Sequence, residues 1–199
     1  MPRPRKASDD DVFAATARAM TRFGPGELTL AEIAAEAGLT AGALVQRFGS
    51  KRELLLKLSA AAVDGNAAFI RGLREKHRSP LAVLRAYAEC LADLAASPAA
   101  LARNLAYLQI DLTDPDFRRH LLAQAKATRV AIAELLIEAV AEGEITRLAD
   151  PRGLARVIET MLSGSLLTWA IYREGSAARW LRDDVDAVLA PHIAKKRRR

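Results

Sequence analysis

Residues 28–56 read LTLAEIAAEAGLTAGALVQRFGSKRELLL, and they contain the strongest structural signals in the N-terminal part of the chain. Thr29 is followed three residues later by Glu32, which is the spacing of a capping box at a helix start. Gly38 stands where a helix commonly ends in the left-handed conformation, and Thr40 can cap a second helix. The stretch predicts two short helices joined by a tight turn, which is the plan of a helix-turn-helix.

The second of these helices has a surface that suits contact with DNA. Its exposed side is expected to carry Thr40, Ala41, Gly42, Ala43, Val45, Gln46 and Arg47. A helix with such small side chains fits the major groove, which is about 12 Å wide. Gln46 can pair with adenine, and Arg47 with guanine or a phosphate. Many helical proteins contain two short helices and a glycine turn with no role in DNA binding, so the pattern alone leaves that alternative open.

The rest of the chain predicts further helices. A capping Ser8 followed by three aspartates predicts a helix that ends near Phe23. Long amphipathic helices are expected at 51–76, 80–96, 98–111, 115–142, 151–174 and 176–190. The fold class is therefore all-α. An N-terminal three-helix domain is expected over residues 1–50, followed by a larger helical domain over residues 51–199.

Composition and charge narrow the protein class. The 199 residues are 51% hydrophobic and 5% aromatic, which favours helices. The net charge is +6, but Lys195 to Arg199 supply five of these charges, so the high charge is weak evidence for nucleic-acid binding. Cys90 is the single cysteine, which excludes an internal disulfide. No signal peptide is recognisable, and no uninterrupted apolar run reaches the about 18 residues of a membrane span. We expect a cytoplasmic protein without a membrane partner.

Leu28 to Leu56 resembles the DNA-binding region of the tetracycline-repressor (TetR) family of transcription factors, and Asp11 to Phe23 resembles the first helix of that family. The resemblance implies a homodimer that reads a palindromic double-stranded DNA operator and is released by a small molecule bound in the larger domain. It implies that Thr29 and Lys51 contact phosphates. It also implies that the recognition surface is formed by Thr40, Ala41, Gly42, Val45, Gln46 and Arg47.

Three positions depart from the pattern of this family. The family usually has an aromatic residue at Val45, often histidine or another aromatic at Arg47, and commonly lysine at Ala41. Without an aromatic hydroxyl at position 45, one phosphate contact is lost. Arg47 and Arg52 are expected to compensate electrostatically.

Apolar residues of the larger domain divide between core, ligand pocket and dimer interface. The resemblance places a pocket near Phe69, Tyr87, Cys90, Tyr107, Leu108 and Leu121, although each of these residues also suits an ordinary core. Few charges fall on these faces, so a largely apolar ligand is expected. The last two helices are expected to form an intersubunit four-helix bundle. Its interface residues would be Leu162, Leu166, Trp169, Trp180, Val185 and Leu189.

The remaining motifs favour binding over catalysis. The basic segment at residues 2–6 either reaches a DNA groove or is a solvated start. His77, His120 and His192 are far apart in sequence, so we expect neither a metal site nor a cofactor. No nucleophile, base and acid stand in a recognisable pattern, so an enzyme is not expected. A helical dimeric scaffold that has lost specific DNA binding remains the alternative.

Overall fold

The computed structural model describes residues 7–147 and 150–194, except the side chain of Asp64. The basic segments at 2–6 and 195–199, which the sequence analysis singled out, lie outside the described residues. Within the described ranges the protein forms α-helices and no strand, apart from an isolated bridge between Ile145 and Ile193. The predicted all-α fold is confirmed. The helices are α1 (Asp9–Arg22), α2 (Leu30–Ala37), α3 (Ala41–Phe48), α4 (Lys51–Lys76), α5 (Pro80–Leu91), α6 (Pro98–Thr113), α7 (Pro115–Ala141), α8 (Pro151–Tyr172) and α9 (Ala177–Leu189).

Helix starts agree with the expected caps because capping depends on residues within one turn. The Ser8 hydroxyl accepts from the Asp11 N–H, and the Ser79 hydroxyl accepts from the Ala82 N–H. Three helix ends differ from the expectation by two residues or more, and one of them is that of α6, which runs to Thr113 instead of residue 111. The helix beginning at Pro80 gives way to a 3₁₀ turn at Ala92–Ala95, and α8 ends before Arg173, which adopts a left-handed φ of 58°.

The first compact unit contains the residues up to 62 together with 102–121. Its core joins α1 to α4 with Tyr107, which comes from α6. This unit is larger than the expected 1–50 domain because the first part of α4, residues 102–113 of α6 and the start of α7 belong to it. The functional boundary at residue 50 stays a prediction. The buried residues of this core are Val12, Ala19, Leu28, Ile33, Ala34, Leu44, Phe48, Leu54 and Tyr107.

The second compact unit contains residues 63–101 and those from 122 onwards. Its core is formed chiefly by apolar residues of α5, α7, α8 and α9. Ion pairs at its surface join α5 to α9, with Arg85 to Asp186 at 2.6 Å and Arg182 to Glu89 at 2.9 Å. These pairs are partly exposed, so the apolar core carries most of the stabilisation.

Helix α8 is long and apolar enough to cross a membrane by length and composition. Arg156 and Glu159 interrupt its apolar residues, so the sequence shows no uninterrupted apolar run of that length. Length and composition alone are weak evidence for a membrane span, because the core helix of a soluble protein has both. One side of α8, including Ile158 and Leu162, packs in the core of the second unit.

Candidate nucleic-acid interface

The start of α2 and the turn between α2 and α3 are held by local hydrogen bonds. The Thr29 hydroxyl accepts from the Glu32 N–H at 3.3 Å, and the Glu32 carboxylate accepts from the Thr29 N–H at 3.1 Å. Gly38 ends α2 with φ +65°, where a side chain would be strained. The Leu39 N–H then donates to the Ala34 carbonyl at 2.8 Å. This geometry confirms the expected turn and sets the direction in which α3 leaves it.

Helix α3 has one side in the core and one side in solvent. Leu44 and Phe48 are 0% and 4% exposed, and the Phe48 ring lies 6.1 Å from that of Phe13. Val45 is 49% exposed, and Gln46 is also exposed. Because α3 has only eight residues, the buried pair fixes the orientation of its whole outer surface.

The expected recognition residues fall into two groups on this surface. Thr40, Gly42, Val45 and Gln46 are exposed, whereas Ala41 is half-buried and packs against the core of the first unit. The Thr40 hydroxyl accepts from the Ala43 N–H at 3.1 Å, which leaves its own O–H free to donate. Among the described residues, the amide of Gln46 has no polar partner. Gln46 is therefore available for a base edge.

Lys51, the expected phosphate contact, also holds the connection between α1 and α2. Its ammonium group donates to the carbonyl of Leu28 at 2.7 Å and to that of Pro25 at 3.0 Å. An ammonium has three N–H donors, so one remains for a phosphate oxygen. This second role could not be predicted from the sequence, because the partners lie 23 and 26 residues away.

Arg47 is engaged within the protein. Its guanidinium donates to the Ala7 carbonyl at 2.6 Å, pairs with the Asp9 carboxylate, and lies 5.3 Å from the centroid of the Phe48 ring. A guanidinium with these partners is less available for a base edge than the sequence suggests. The expected role of Arg47 on the recognition surface is untested and stays a prediction.

Arg52 was also expected to compensate for the phosphate contact that is lost at Val45. Its guanidinium, like that of Arg47, is bound to other groups of the protein. It donates to both carboxylate oxygens of Asp114, at 2.7 and 3.0 Å, and to Asp116 at 3.0 Å. The hydrogen bond from Arg52 lowers the pKa of Asp114. This cluster ties the start of α4 to the connection between α6 and α7, and the carboxylates neutralise the charge of Arg52.

The six expected pocket residues are divided equally between the compact units. Phe69, Tyr87 and Cys90 belong to the second unit, and Tyr107, Leu108 and Leu121 belong to the first. Phe69 and Leu108 are exposed, and Cys90 and Leu121 are half-buried. The Tyr107 hydroxyl donates to the Phe23 carbonyl at 2.9 Å, so this side chain completes the core of the first unit.

Tyr87 is the pocket candidate with the most polar surroundings. The Asn66 amide donates to the Tyr87 hydroxyl at 3.1 Å and to the Thr128 hydroxyl at 2.7 Å. Tyr87 and Thr128 are 4% and 6% exposed, and burial raises the pKa of Tyr87. These side chains from α4, α5 and α7 form a polar cluster within the second unit. No group of three potential metal ligands occurs in the part of the chain that the structure describes.

Most of the expected dimer-interface residues lie inside their own protomer. Leu162, Leu166 and Trp169 are at most 9% exposed, and Val185 and Leu189 are 0% exposed. Trp180 is half-buried, and its indole N–H donates to the Glu174 carbonyl at 2.6 Å. These buried side chains pack in the core of the second unit, and the expected dimer interface stays a prediction.

The opposite side of α8 carries an exposed apolar stripe that was not predicted from the sequence. Val157, Leu167 and Ile171 are 49%, 44% and 77% exposed. Val157, Gly164 and Ile171 are spaced by seven residues, a repeat that pairs helices. This spacing was the signal available in the sequence. An open groove of about 330 Å³ on the same helix is lined by Arg156, Val157, Thr160 and Met161.

Residues 12–58 match the family model described as bacterial regulatory proteins, tetR family. This region of the chain belongs to the TetR family. With it the protein is a DNA-binding transcriptional regulator, and regulators of this family are generally not enzymes. The matched residues include α2, the turn and α3, so the family assignment rests on the same elements as the interface.

Solved structures of other proteins share the fold over nearly the whole length of this chain. SmeT, the repressor of the Stenotrophomonas maltophilia multidrug efflux pump SmeDEF, is 21% identical, with a TM-score of 0.65 over 96% of this chain and 93% of that chain. The fatty acid degradation regulator FadR from Bacillus halodurans is 18% identical, with a TM-score of 0.69 over 99% and 100%. Reduced NemR from E. coli is 14% identical, with a TM-score of 0.72 over 94% and 98%. No curated protein sequence matches the chain.

Proposed function

We propose that the protein is a repressor that binds a palindromic operator as a homodimer and is released by a largely apolar small molecule. The observation that carries this proposal is the exposed surface of α3, with a partner-free Gln46 beside Val45. Small neighbours such as Gly42 let this surface enter a major groove closely. SmeT, which shares the fold, is a repressor.

The dimer is proposed to form through the exposed stripe of α8. Apolar side chains as exposed as those of Val157 and Ile171 suit a helix–helix interface. Gly164 lies between them, and a Cβ added there meets no atom within 4 Å in the protomer. A second copy of α8 can therefore approach closely at Gly164. Two protomers related by a two-fold axis would present two copies of α3 to the two half-sites of an operator.

The ligand is proposed to bind the second unit near Tyr87. Aliphatic surroundings with a small polar cluster are typical of a site for a mostly apolar molecule with one or two polar groups. The hydroxyls of Tyr87 and Thr128 and the amide of Asn66 would orient such a molecule. Induction requires the ligand to bind the DNA-incompetent state better, and a tenfold loss of DNA affinity requires a difference of about 1.4 kcal/mol.

Selection from a library of random DNA duplexes by the purified full chain tests the proposal. Sequencing of the retained duplexes should give one inverted repeat with half-sites about 10 base pairs apart or a multiple of that spacing. A uniform background of sequences would contradict operator binding and would favour the helical scaffold. A single half-site without a repeat would contradict the dimer but retain the DNA-binding role.

A further inference from the structure

Arg47 of α3 is bound to the start of α1. Its guanidinium donates to the Ala7 carbonyl at 2.6 Å and forms an ion pair with the Asp9 carboxylate. The side chains of Arg47 and Asp9 are 34% and 53% exposed, so water reaches both charges. An ion pair that is exposed to this degree contributes little to stability, because water and salt compete for both partners. The Asp9 carboxylate can therefore be exchanged for a stronger anion.

Arg52 is held more firmly than Arg47. It donates to both carboxylate oxygens of Asp114, whose side chain is 26% exposed, and also to Asp116. A bidentate contact between an arginine and a carboxylate is stronger than a single one, and Asp116 adds a second negative charge. Arg47 has one carboxylate and one neutral carbonyl as partners. Of these two arginines, Arg47 is thus the one that an incoming phosphate displaces more readily.

The position of Arg47 on α3 directs its side chain towards a wall of the major groove. Consecutive residues are about 100° apart around a helix axis, so Gln46 and Arg47 cannot both point at the groove floor. A helix with its side chains is about 10–12 Å in diameter, and the groove is about 12 Å wide. If Gln46 faces the base edges, Arg47 therefore meets the phosphates along one edge of the groove. The Asp9 carboxylate, beside Arg47, is brought close to the same phosphates.

We propose that Asp9 limits the affinity of the protein for DNA, because it competes with a DNA phosphate for Arg47. On binding, the Arg47 guanidinium exchanges the Asp9 carboxylate for a phosphate oxygen, and Asp9 is left facing the negative DNA backbone. This inference rests on the proposed docking of α3 in the major groove. Every DNA sequence carries the same phosphates, so Asp9 sets the absolute affinity and leaves the reading of bases to Gln46 and its exposed neighbours.

The variants Asp9→Asn, Asp10→Asn, Arg47→Met and the double substitution Asp9→Asn/Arg47→Met test this exchange. Asp10 is exposed in the same turn of α1 and forms no ion pair among the described residues, so Asp10→Asn controls for the loss of one negative charge. Asp9→Ser gives a second neutral variant. Circular dichroism melting establishes that each variant is folded. Fluorescence anisotropy then gives affinities for the duplex selected above and for a scrambled duplex at several salt concentrations.

Asp9→Asn should strengthen binding to both duplexes by the same factor, and by more than Asp10→Asn does. The excess should be about 1.5- to 5-fold for each protomer, which corresponds to the strength of an exposed ion pair. Arg47→Met should weaken binding to both duplexes and lower the slope of log affinity against log salt by about one unit for each protomer. In the Arg47→Met background, Asp9→Asn should gain no more than Asp10→Asn gives.

An equal gain for Asp9→Asn and Asp10→Asn would overturn the proposal, as would a gain from Asp9→Asn that survives undiminished in the Arg47→Met background. Weaker binding of Asp9→Asn would also overturn it, since Asp9 would then support the docked state. If Arg47→Met changed only the preference at one base pair, Arg47 would read a base and the phosphate exchange would be wrong. A uniform background in the selection would instead refute operator recognition, whereas affinities for the scrambled duplex would still decide the role of Asp9.

Discussion

The hydroxyl of Tyr107 in α6 donates a hydrogen bond to the backbone carbonyl of Phe23 at the end of α1, across 84 residues of sequence, at 2.9 Å. This contact lies within the compact unit that contains the helix-turn-helix and residues 102–113 of α6. Tyr107 is 7% exposed, and burial, with a further contribution from Glu27, raises its pKa to about 12. A buried neutral phenol therefore helps to hold the core of the DNA-binding unit.

Tyr107→Phe should lower the free energy of unfolding by about 1 kcal/mol at neutral pH, because it leaves a carbonyl without its partner. The unfolded tyrosine titrates near pH 10. The folded protein holds the proton more tightly, so the contribution of Tyr107 is complete below about pH 10 and declines as the pH rises towards about 12. Urea unfolding of both proteins at pH 8 and pH 11 measures this. If the difference in unfolding free energy between the two proteins grew with pH, Tyr107 would not act as a buried neutral phenol.

Lys51→Met should destabilise the fold and also weaken DNA binding. The two hydrogen bonds from the ammonium to Pro25 and Leu28 are charge-assisted, and each such bond contributes about 1.5–3 kcal/mol. If the third N–H donor contacts a phosphate, the slope of log affinity against log salt should fall by about two units in a dimer. Urea unfolding without DNA, followed by binding at several salt concentrations, separates the two effects. Lys126→Met, at an exposed position of α7, is the control for both.

Gln46→Ala should relax sequence preference at one base pair of each half-site without weakening binding to all DNA. A lost bidentate contact to adenine corresponds to about 1–3 kcal/mol of discrimination. Affinities for the selected duplex, for duplexes changed at single positions, and for a scrambled duplex measure the effect. Equal losses on every duplex would mean that Gln46 binds backbone and that Thr40 and Val45 read the sequence.

Gly164→Arg should convert dimers to monomers while leaving the protomer folded. The space beside Gly164 is open in the protomer, and its backbone conformation is ordinary for any residue. A large cation in the exposed stripe of α8 prevents a second α8 from approaching. Light scattering after size-exclusion chromatography should give a mass near 21.6 kDa instead of twice that value. Gly65→Arg, where an added Cβ also meets open space, is the matched control and should remain a dimer. An unchanged mass for Gly164→Arg would place the interface elsewhere.

A largely apolar ligand should lower operator affinity in a manner that depends on the polar cluster at Tyr87. Thr128→Val keeps the volume of the side chain but removes the hydroxyl to which Asn66 donates. A panel of hydrophobic compounds should contain members that reduce affinity tenfold or more, and their effective concentrations should rise in this variant. The control is DNA affinity without compound, which should not change. If no compound in a broad panel alters DNA affinity, induction by a small molecule is wrong.

Local chemistry explains why the sequence alone was sufficient for the helices and the helix-turn-helix. Capping hydroxyls such as those of Ser8 and Thr29 act on groups three residues away, and Gly38 ends a helix through its own backbone conformation. These short-range signals determined the helix starts and the all-α class, and the spacing of Leu44 and Phe48 along α3 predicted the exposure of Gln46. None of them requires knowledge of a distant part of the chain.

Tertiary structure decided which partners the charged and apolar residues of these helices meet. Leu162 and Trp169 form an amphipathic stripe that suits a core or an interface equally, and only packing against α9 assigns it to the core. The sequence predicts free cations at Arg47 and Lys51, because the groups that bind these side chains lie 40 and 23 residues away. A guanidinium or an ammonium bonds whatever oxygen the fold brings to it, and that oxygen is specified by the path of the whole chain.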